Sequence, residues 1–530
     1  MPTERDETIL ICGGRVYRHD GDTDLPAVAD VLIKDGKFAR VEPGLRAMHA
    51  RGELGPVDRV IDADRRLLLP GFFNAHYQSH DTLQKGCFET LTLDHWGAIA
   101  MPHAYGRRSR EELRARTLVG ALECIRSGIT TVQDMTSLNP FDGDDLDIVL
   151  DTYEEVGLRC VFAPQFANVG RMKVRAFYKD LIPDDQIWRL SGPGRQFPEG
   201  ADIVDLVEQA IVDRLGKRKL VSFGLGPSSP ESCSRDLWEK LADLSARRDL
   251  PIYTHIYENK GMTHIARTAY GDWQGSLIRY LGDCGVLGPR LTLAHSVWLL
   301  PEEIEIIAQT GTNVALNPIG NLKTRSGIAP TRALLDAGIN IGIGCDNCSC
   351  SDVQNMFQAM KLYTCLPAVC DPEEGPPWAK DALRAATLGG ARSTGRTDLG
   401  EIAVGMRADL SIIDLRDISY VPLNSVARQL VFTEGGRAVE SVIIDGRLVM
   451  SERRILTVDE DALYRDVAEV MPDLLRELSA IRERLAPIRP YIAAAEARTW
   501  ATDIGVERYV AGHHGFVPAK TPDGSGPVQG

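Results

Sequence analysis

The stretch LLLPGFFNAHYQSH, residues 67–80, decides how this chain is read. Its apolar residues run on without the alternation of a half-solvated strand, as in a strand covered on both faces. The run closes on His76. The same pattern recurs three times: LPIYT (250–254) closes on His255, RLTLA (290–294) on His295, and INIGIGC (339–345) on Asp346. Parallel strands that each end in an imidazole or a carboxylate gather ligands at one mouth of a barrel, where a metal ion can hold a water molecule.

Working outward, strand-like runs lie near residues 68–75, 129–134, 158–164, 220–226, 251–255, 290–295, 312–316 and 340–345. Amphipathic stretches such as REELRARTLVGALECIRSG and SRDLWEKLADLSARRD separate them. Eight β-runs, each followed by a helix, predict an α/β chain with a (β/α)8 TIM-like barrel over 68–397. Residues 1–67 and 398–458 read instead as short strands with Asp-Gly turns at 35–36 and 445–446, which predicts a small composite β-sandwich built from both ends of the chain. Residues 459–530 are expected to be a C-terminal extension, helical over 459–500 with interruptions at Pro472 and Pro487, then a Gly- and Pro-rich tail or arm. The connection between Pro164 and Gly200 is long and carries Phe166, Tyr178, Trp188 and several arginines, as expected of a lid over a substrate pocket.

Bulk composition narrows the function classes. At 530 residues, with 44% hydrophobic and 25% charged residues, the chain reads as a soluble globular enzyme with one large and one smaller domain. A net charge of −14 argues against nucleic acid or an anionic membrane as partner. No secretory signal or membrane-span pattern is present, and the eleven cysteines follow no disulfide framework, so a reducing cytoplasm is expected. GLGP and GIGCD lack the spacing of a dinucleotide site, and no nucleotide cofactor is expected.

The motifs together resemble the amidohydrolase superfamily, in the branch holding guanine and cytosine deaminases, triazine hydrolases, and urea and carbamate herbicide hydrolases. They are PGFFNAH at the first barrel strand, HIYE at the fifth, AHSVWL at the sixth, ALNPIGNLKTRSGIAP after the seventh and GCDN at the eighth, with LGEIAVGMRADLSIIDL in the second sandwich segment. The resemblance runs from about Ile9 to Val458. It implies one divalent ion, zinc first, with cobalt, iron or manganese as alternatives, on His76, His255, His295 and Asp346. It also implies a proton-transferring Glu258. Such an ion lowers the pKa of bound water toward neutrality. Asp346 can then take the water's proton, Glu258 can protonate a leaving nitrogen, and His295 is placed to polarise the carbon under attack.

One departure stands out. The family carries His-x-His at the first strand, and this chain has His76-Tyr77-Gln78 followed by Ser79-His80. An amide oxygen is a poorer ligand than imidazole for zinc-like ions. Three arrangements stay open: Gln78 coordinates weakly, His80 substitutes for it, or the site holds no metal. The cluster CDNCSC at 345–350 places Cys348 and Cys350 beside Asp346, as small packing residues or as borrowed thiolate ligands. Gln133, Ser228, Ser229, Asn317, Asn321 and His80 are expected substrate contacts. The expected reaction is hydrolysis of a carbon–nitrogen bond in a small cyclic or aromatic molecule, deamination first and amide, carbamate or urea cleavage second. A metal-free or inactive protein on the same scaffold is the rival. A homodimer or larger homo-oligomer is expected.

Overall fold

In the computed structural model, which describes residues 7–370 and 375–509, the chain is an α/β structure. Four parallel strands, Phe72–Gln78, Ile129–Asp134, Arg159–Phe162 and Val221–Phe223, lie side by side in chain order. Four more follow: Ile252–Ile256, Leu291–His295, Asn313–Leu316 and Ile341–Ile343. A parallel bridge between Leu225 and Ile252 joins the two sets. The eighth strand breaks at Gly344 and Cys345 and resumes as Asp346–Asn347, which pairs with Tyr77 and Gln78 of the first. It therefore has the seventh strand on one side and the first on the other.

Helices fill the connections for local reasons. Arg235–Arg248 starts where the Ser234 side chain accepts the Leu237 N–H. It buries Leu237, Leu241 and Leu244 at helical spacing and ends on Asp249, whose φ of +52° turns the chain.

Strands from both ends of the chain share one nine-stranded sheet. Arg66–Pro70 pairs antiparallel with Leu410–Asp414, more than three hundred residues later. The sheet folds over until its two hairpin turns touch, with the Gly446 N–H donating to Ala408 O (3.0 Å) and the Ala408 N–H to Gly36 O (2.9 Å). Ile9, Ile33, Phe38, Leu410, Ile412 and Ile443 pack in the fold so formed. Gly36 and Gly446 hold φ of +70° and +78° where the turns meet, which glycine adopts without strain.

Two expectations from the sequence are corrected. The run near 68–75 is two strands: Arg66–Pro70 belongs to the nine-stranded sheet, and the first parallel strand starts at Phe72. The chain crosses between them at Gly71, where a Cβ would collide with the Thr130 side chain. Pro472 does not interrupt the C-terminal helix, which runs unbroken over Glu460–Leu485. Its buried Leu463, Leu474, Leu478 and Ile481 lie on both sides of the proline, so packing outweighs the one lost hydrogen bond. The break comes at Pro487, before the helix Arg489–Ala501. The Gly- and Pro-rich end at 510–530 lies outside the described residues.

These terminal helices cover the mouth of the parallel strands. Leu474, Leu478, Ile481 and Ile492 share one apolar cluster with Leu93, Trp96, Tyr178 and Leu190, so they support the segments that overhang the strand ends.

Candidate active site

His76, His255, His295 and Asp346 all lie at the C-terminal ends of their strands. The backbone bends to bring them in. His295, Ser296 and Asp346 hold φ of +70°, +51° and +64°, values that non-glycine residues keep only when their surroundings enforce them. The rings of His76, His255 and His295 sit with centroids 4.9, 5.3 and 5.4 Å apart. His76 Nε2 is 3.5 Å from Asp346 Oδ1, and His295 Nδ1 is 3.7 Å from Glu258 Oε1. The three histidines form one group whose ligand atoms lie within 4.8 Å of one another, and Glu258, His295 and Asp346 form another.

The hydrogen bonds assign the tautomers. His255 Nδ1 lies 2.6 Å from Ser228 O and His295 Nδ1 lies 2.8 Å from Asn321 Oδ1. Each Nδ1–H donates to that oxygen, which leaves the Nε2 lone pair of each ring available. His295 Nε2 is buried and has no partner. Burial, with the neighbouring rings adding to it, holds His76 well below its ordinary range and His255 down at about 3, so both rings are neutral near pH 7. Neutral imidazole nitrogens facing two carboxylates are a donor set that fits a zinc-like divalent ion. Burial also pushes Glu258 up to about 7, with His295 pulling it down and Asp346 pushing it up.

Gln78 completes the wall. Its Nε2 lies 2.9 Å from His255 Nε2 and 3.5 Å from His76 Nε2, and its Oε1 is buried without a partner. His80 faces elsewhere: Nε2 lies 3.2 Å from Asn347 Nδ2, and Nδ1 accepts the Ser137 N–H at 3.4 Å. Cys350 Sγ donates to Asp346 Oδ2 at 3.4 Å, and Cys348 accepts from Gln354, so both thiols face protein partners.

A cavity of about 450 Å³ opens from the strand ends, with Gln78, His255, Glu258, His295 and Asp346 at its base. Of the expected substrate contacts, Ser228 and Ser229 line it. Asn321 and Asn317 flank His295 instead: Asn321 Oδ1 accepts the Nδ1–H at 2.8 Å, and Asn317 Nδ2 lies 3.3 Å from the same nitrogen. Gln133 lies beside His76 without reaching hydrogen-bond geometry. The Pro164–Gly200 connection contributes Phe166, Val169, Arg171, Val174, Arg175 and Leu190 to the cavity wall. Tyr178 from this connection is buried against the terminal helices, while Trp188 points to solvent.

Sequence reasoning missed Trp96, His103, Arg175 and Glu231, which also line the cavity. They sit in short helices, single turns and connections between the strands, without strand periodicity. The one available signal was an acid in the serine-rich SSPES segment after the fourth strand.

Two expected results follow from this geometry. Asn321→Ala leaves the His295 tautomer unenforced and lowers metal affinity by about 10- to 100-fold, as read in a metal titration. Unchanged affinity would refute the orienting role. Gly344→Ala pushes a Cβ into Asn317 Oδ1 and to within 2.8 Å of the His76 backbone oxygen. The overpacking costs about 1–3 kcal/mol in denaturant unfolding and displaces His76 from the cluster.

A model of the amidohydrolase family matches residues 67–449. The chain belongs to that family. Family membership and the relatives' activities make it a hydrolase acting on carbon–nitrogen bonds other than peptide bonds. Among its relatives, a 5'-deoxyadenosine deaminase from Methanothermobacter thermautotrophicus is 31% identical over 456 residues, which cover 86% of this chain and 96% of that protein. A 5-methylthioadenosine/S-adenosylhomocysteine deaminase from Syntrophobacter fumaroxidans is 30% identical over 466 residues, 87% of this chain and 96% of that one. In fold, the amidohydrolase superposes with a TM-score of 0.75 on an atrazine chlorohydrolase from Arthrobacter aurescens solved in complex with zinc. That chain is 26% identical, and the match covers 88% of this chain and all of that one.

Proposed function

We propose that the chain is a metal-dependent aminohydrolase that releases ammonia or an amine from a small cyclic or aromatic molecule, with nucleosides of the 5'-deoxyadenosine and 5-methylthioadenosine type as the first substrates to try. The observation that carries this reading is the clustering of His76, His255 and His295 beside Asp346 and Glu258, all but His76 lining the base of one cavity. The relatives' names supply the substrate type.

His76, His255, His295 and Asp346 would hold the ion, with Gln78 at its edge. Zinc is the first choice because the atrazine chlorohydrolase was solved with it. An ion held there would supply Lewis-acid activation of the attacking water near neutral pH. Asp346 accepts the proton from the attacking water on a carboxylate oxygen. Glu258, raised to about 7, is protonated in about half of the molecules at neutral pH and can deliver that proton to the leaving nitrogen, since an amine leaves poorly until protonated. Asn321 Oδ1 and Ser228 O hold two of the rings in register by accepting hydrogen bonds from their Nδ1–H groups. The overhanging 164–200 connection excludes water from the base of the cavity.

The same reading extends to the architecture. The eight parallel strands close into a (β/α)8 barrel that starts after the crossing at Gly71 and runs to 397, the segments before Gly71 and 398–458 form a two-part sandwich domain, and 459–530 is an extension. A reducing cytoplasm is the proposed compartment, and a homo-oligomer is the proposed assembly. No helix among the described residues is long and apolar enough to cross a membrane.

The test is to incubate metal-loaded protein with 5'-deoxyadenosine, 5-methylthioadenosine and a panel of amides, carbamates and ureas while following ammonia, amine and carboxylate release. Ammonia from the nucleosides is the expected result. Carboxylate release from the panel without ammonia from any amino-heterocycle would replace deamination with amide-type hydrolysis. Protein that purifies without metal and is not stimulated by zinc, cobalt, iron or manganese would reject the metal-dependent reading.

A further inference from the structure

We propose that Glu231 is a specificity-determining residue whose unpaired carboxylate oxygen accepts a hydrogen bond from a substrate N–H or O–H group lying outside the bond that is cleaved. The proposal rests on the reading of this cavity as the site of carbon–nitrogen hydrolysis and adds what the rest of the substrate must carry.

Glu231 sits in the short turn Pro230–Ser232, three residues beyond the Ser228 carbonyl that orients His255. It lines the same cavity as His255, Glu258, His295 and Asp346 and is only 4% exposed. Its side chain is pinned at one oxygen. The Ser229 N–H donates to Ser232 Oγ at 2.9 Å, and the Ser232 hydroxyl donates back to Ser229 O at 2.9 Å. The Ser229 hydroxyl hydrogen is then free to go to Glu231 Oε1 at 2.8 Å. Glu231 Oε2, on the same carboxyl group, is buried and has no partner.

A buried acid with a purely structural role pairs with a cation or has both oxygens satisfied. Glu231 has one oxygen bonded to Ser229 and no direct ion pair among the described residues: Arg175, a cation of the same cavity wall, attracts it at longer range while its Nε lies 3.2 Å from Asp94 Oδ1, so Oε2 keeps no hydrogen bond. An unpaired buried carboxylate oxygen is costly, and that cost is relieved when a ligand brings a donor to it. A ligand that presents a carbonyl or a carboxylate there meets repulsion. The favoured class is an amino-heterocycle with a second donor, such as a further exocyclic amine or a sugar hydroxyl. A single free oxygen suits one such donor.

Two matched pairs test this: 5'-deoxyadenosine against 2',3',5'-trideoxyadenosine, and 2,6-diaminopurine against adenine. Binding by calorimetry and kcat/KM are measured for wild type, Glu231→Gln and Glu231→Leu, with metal content and thermal unfolding as controls. In wild type, removing the donor is expected to weaken binding and kcat/KM by about 10- to 100-fold in one pair. Glu231→Gln, which keeps an acceptor oxygen, retains most of that discrimination, and Glu231→Leu abolishes it. Should Glu231→Leu fail to fold, Glu231→Ala takes its place with the same expected loss of discrimination. Donor-dependent binding without ammonia release would leave Glu231 in its role and reject the reaction. Indifference to the donor in both pairs, or equal discrimination by all three proteins, would overturn the proposal.

Discussion

Asp346→Asn is expected to lower kcat by about 10²- to 10⁴-fold while the thermal unfolding midpoint stays in place. The substitution keeps shape and hydrogen-bonding reach and removes the basic oxygen. Asparagine tolerates the left-handed backbone that Asp346 adopts at φ +64°, so the strand end need not rearrange. Space around the carboxylate is tight: a Cβ on Gly320 would run into Asp346 Oδ2, and the Cys350 thiol contacts the same oxygen. A side chain of equal size is the one change this packing accepts. Metal content measured alongside separates loss of the base from loss of the ion. Turnover comparable to wild type in a metal-loaded variant would remove Asp346 from the proton-accepting role.

The second large effect concerns stability. Arg159, at the start of the third parallel strand, is 3% exposed and reaches into the nine-stranded sheet. Its Nε and Nη2 bond both oxygens of Asp409 at 2.9 and 3.0 Å, and Nη2 also meets Asp445 Oδ1 at 3.0 Å. The two carboxylates raise the guanidinium above its ordinary range. Asp409 also accepts the Gly71 N–H on its backbone oxygen, so the same residue holds the crossing between the sheet and the parallel strands. Arg159→Met leaves Asp409 buried without its countercharge and is expected to cost about 3–5 kcal/mol in urea unfolding. A loss below about 1 kcal/mol, the range of surface pairs, would show that the cluster is solvated or readily replaced.

What the sequence made legible follows from what strands record. His76, His255, His295 and Asp346 could be picked out because each closes an apolar run, and the backbone then carries them to one rim. Their mutual distances could not be read, since they depend on the positive φ at His295 and Asp346, which no residue type announced. Gly71 misled the assignment of the first strand. An apolar run spanning two sheets has no polar break, and only the clash with Thr130 shows where the chain turns. Pro472 misled in the other direction, because a helix held by leucines on both sides of a proline survives the missing N–H. Glu231 was invisible for a third reason: a residue in so short a turn has no period, and its importance lies in the partner that one of its oxygens lacks.

The cover formed by Glu460–Leu485 and Arg489–Ala501 has a consequence for biosynthesis. Leu93, Trp96 and Leu190 belong both to the cavity wall and to the apolar cluster those helices complete. During translation the three histidines and Asp346 emerge before the helices that back this wall. A nascent chain therefore exposes greasy surface over its reaction centre until the final helices leave the ribosome, and truncation before residue 460 should yield insoluble protein rather than a smaller working enzyme.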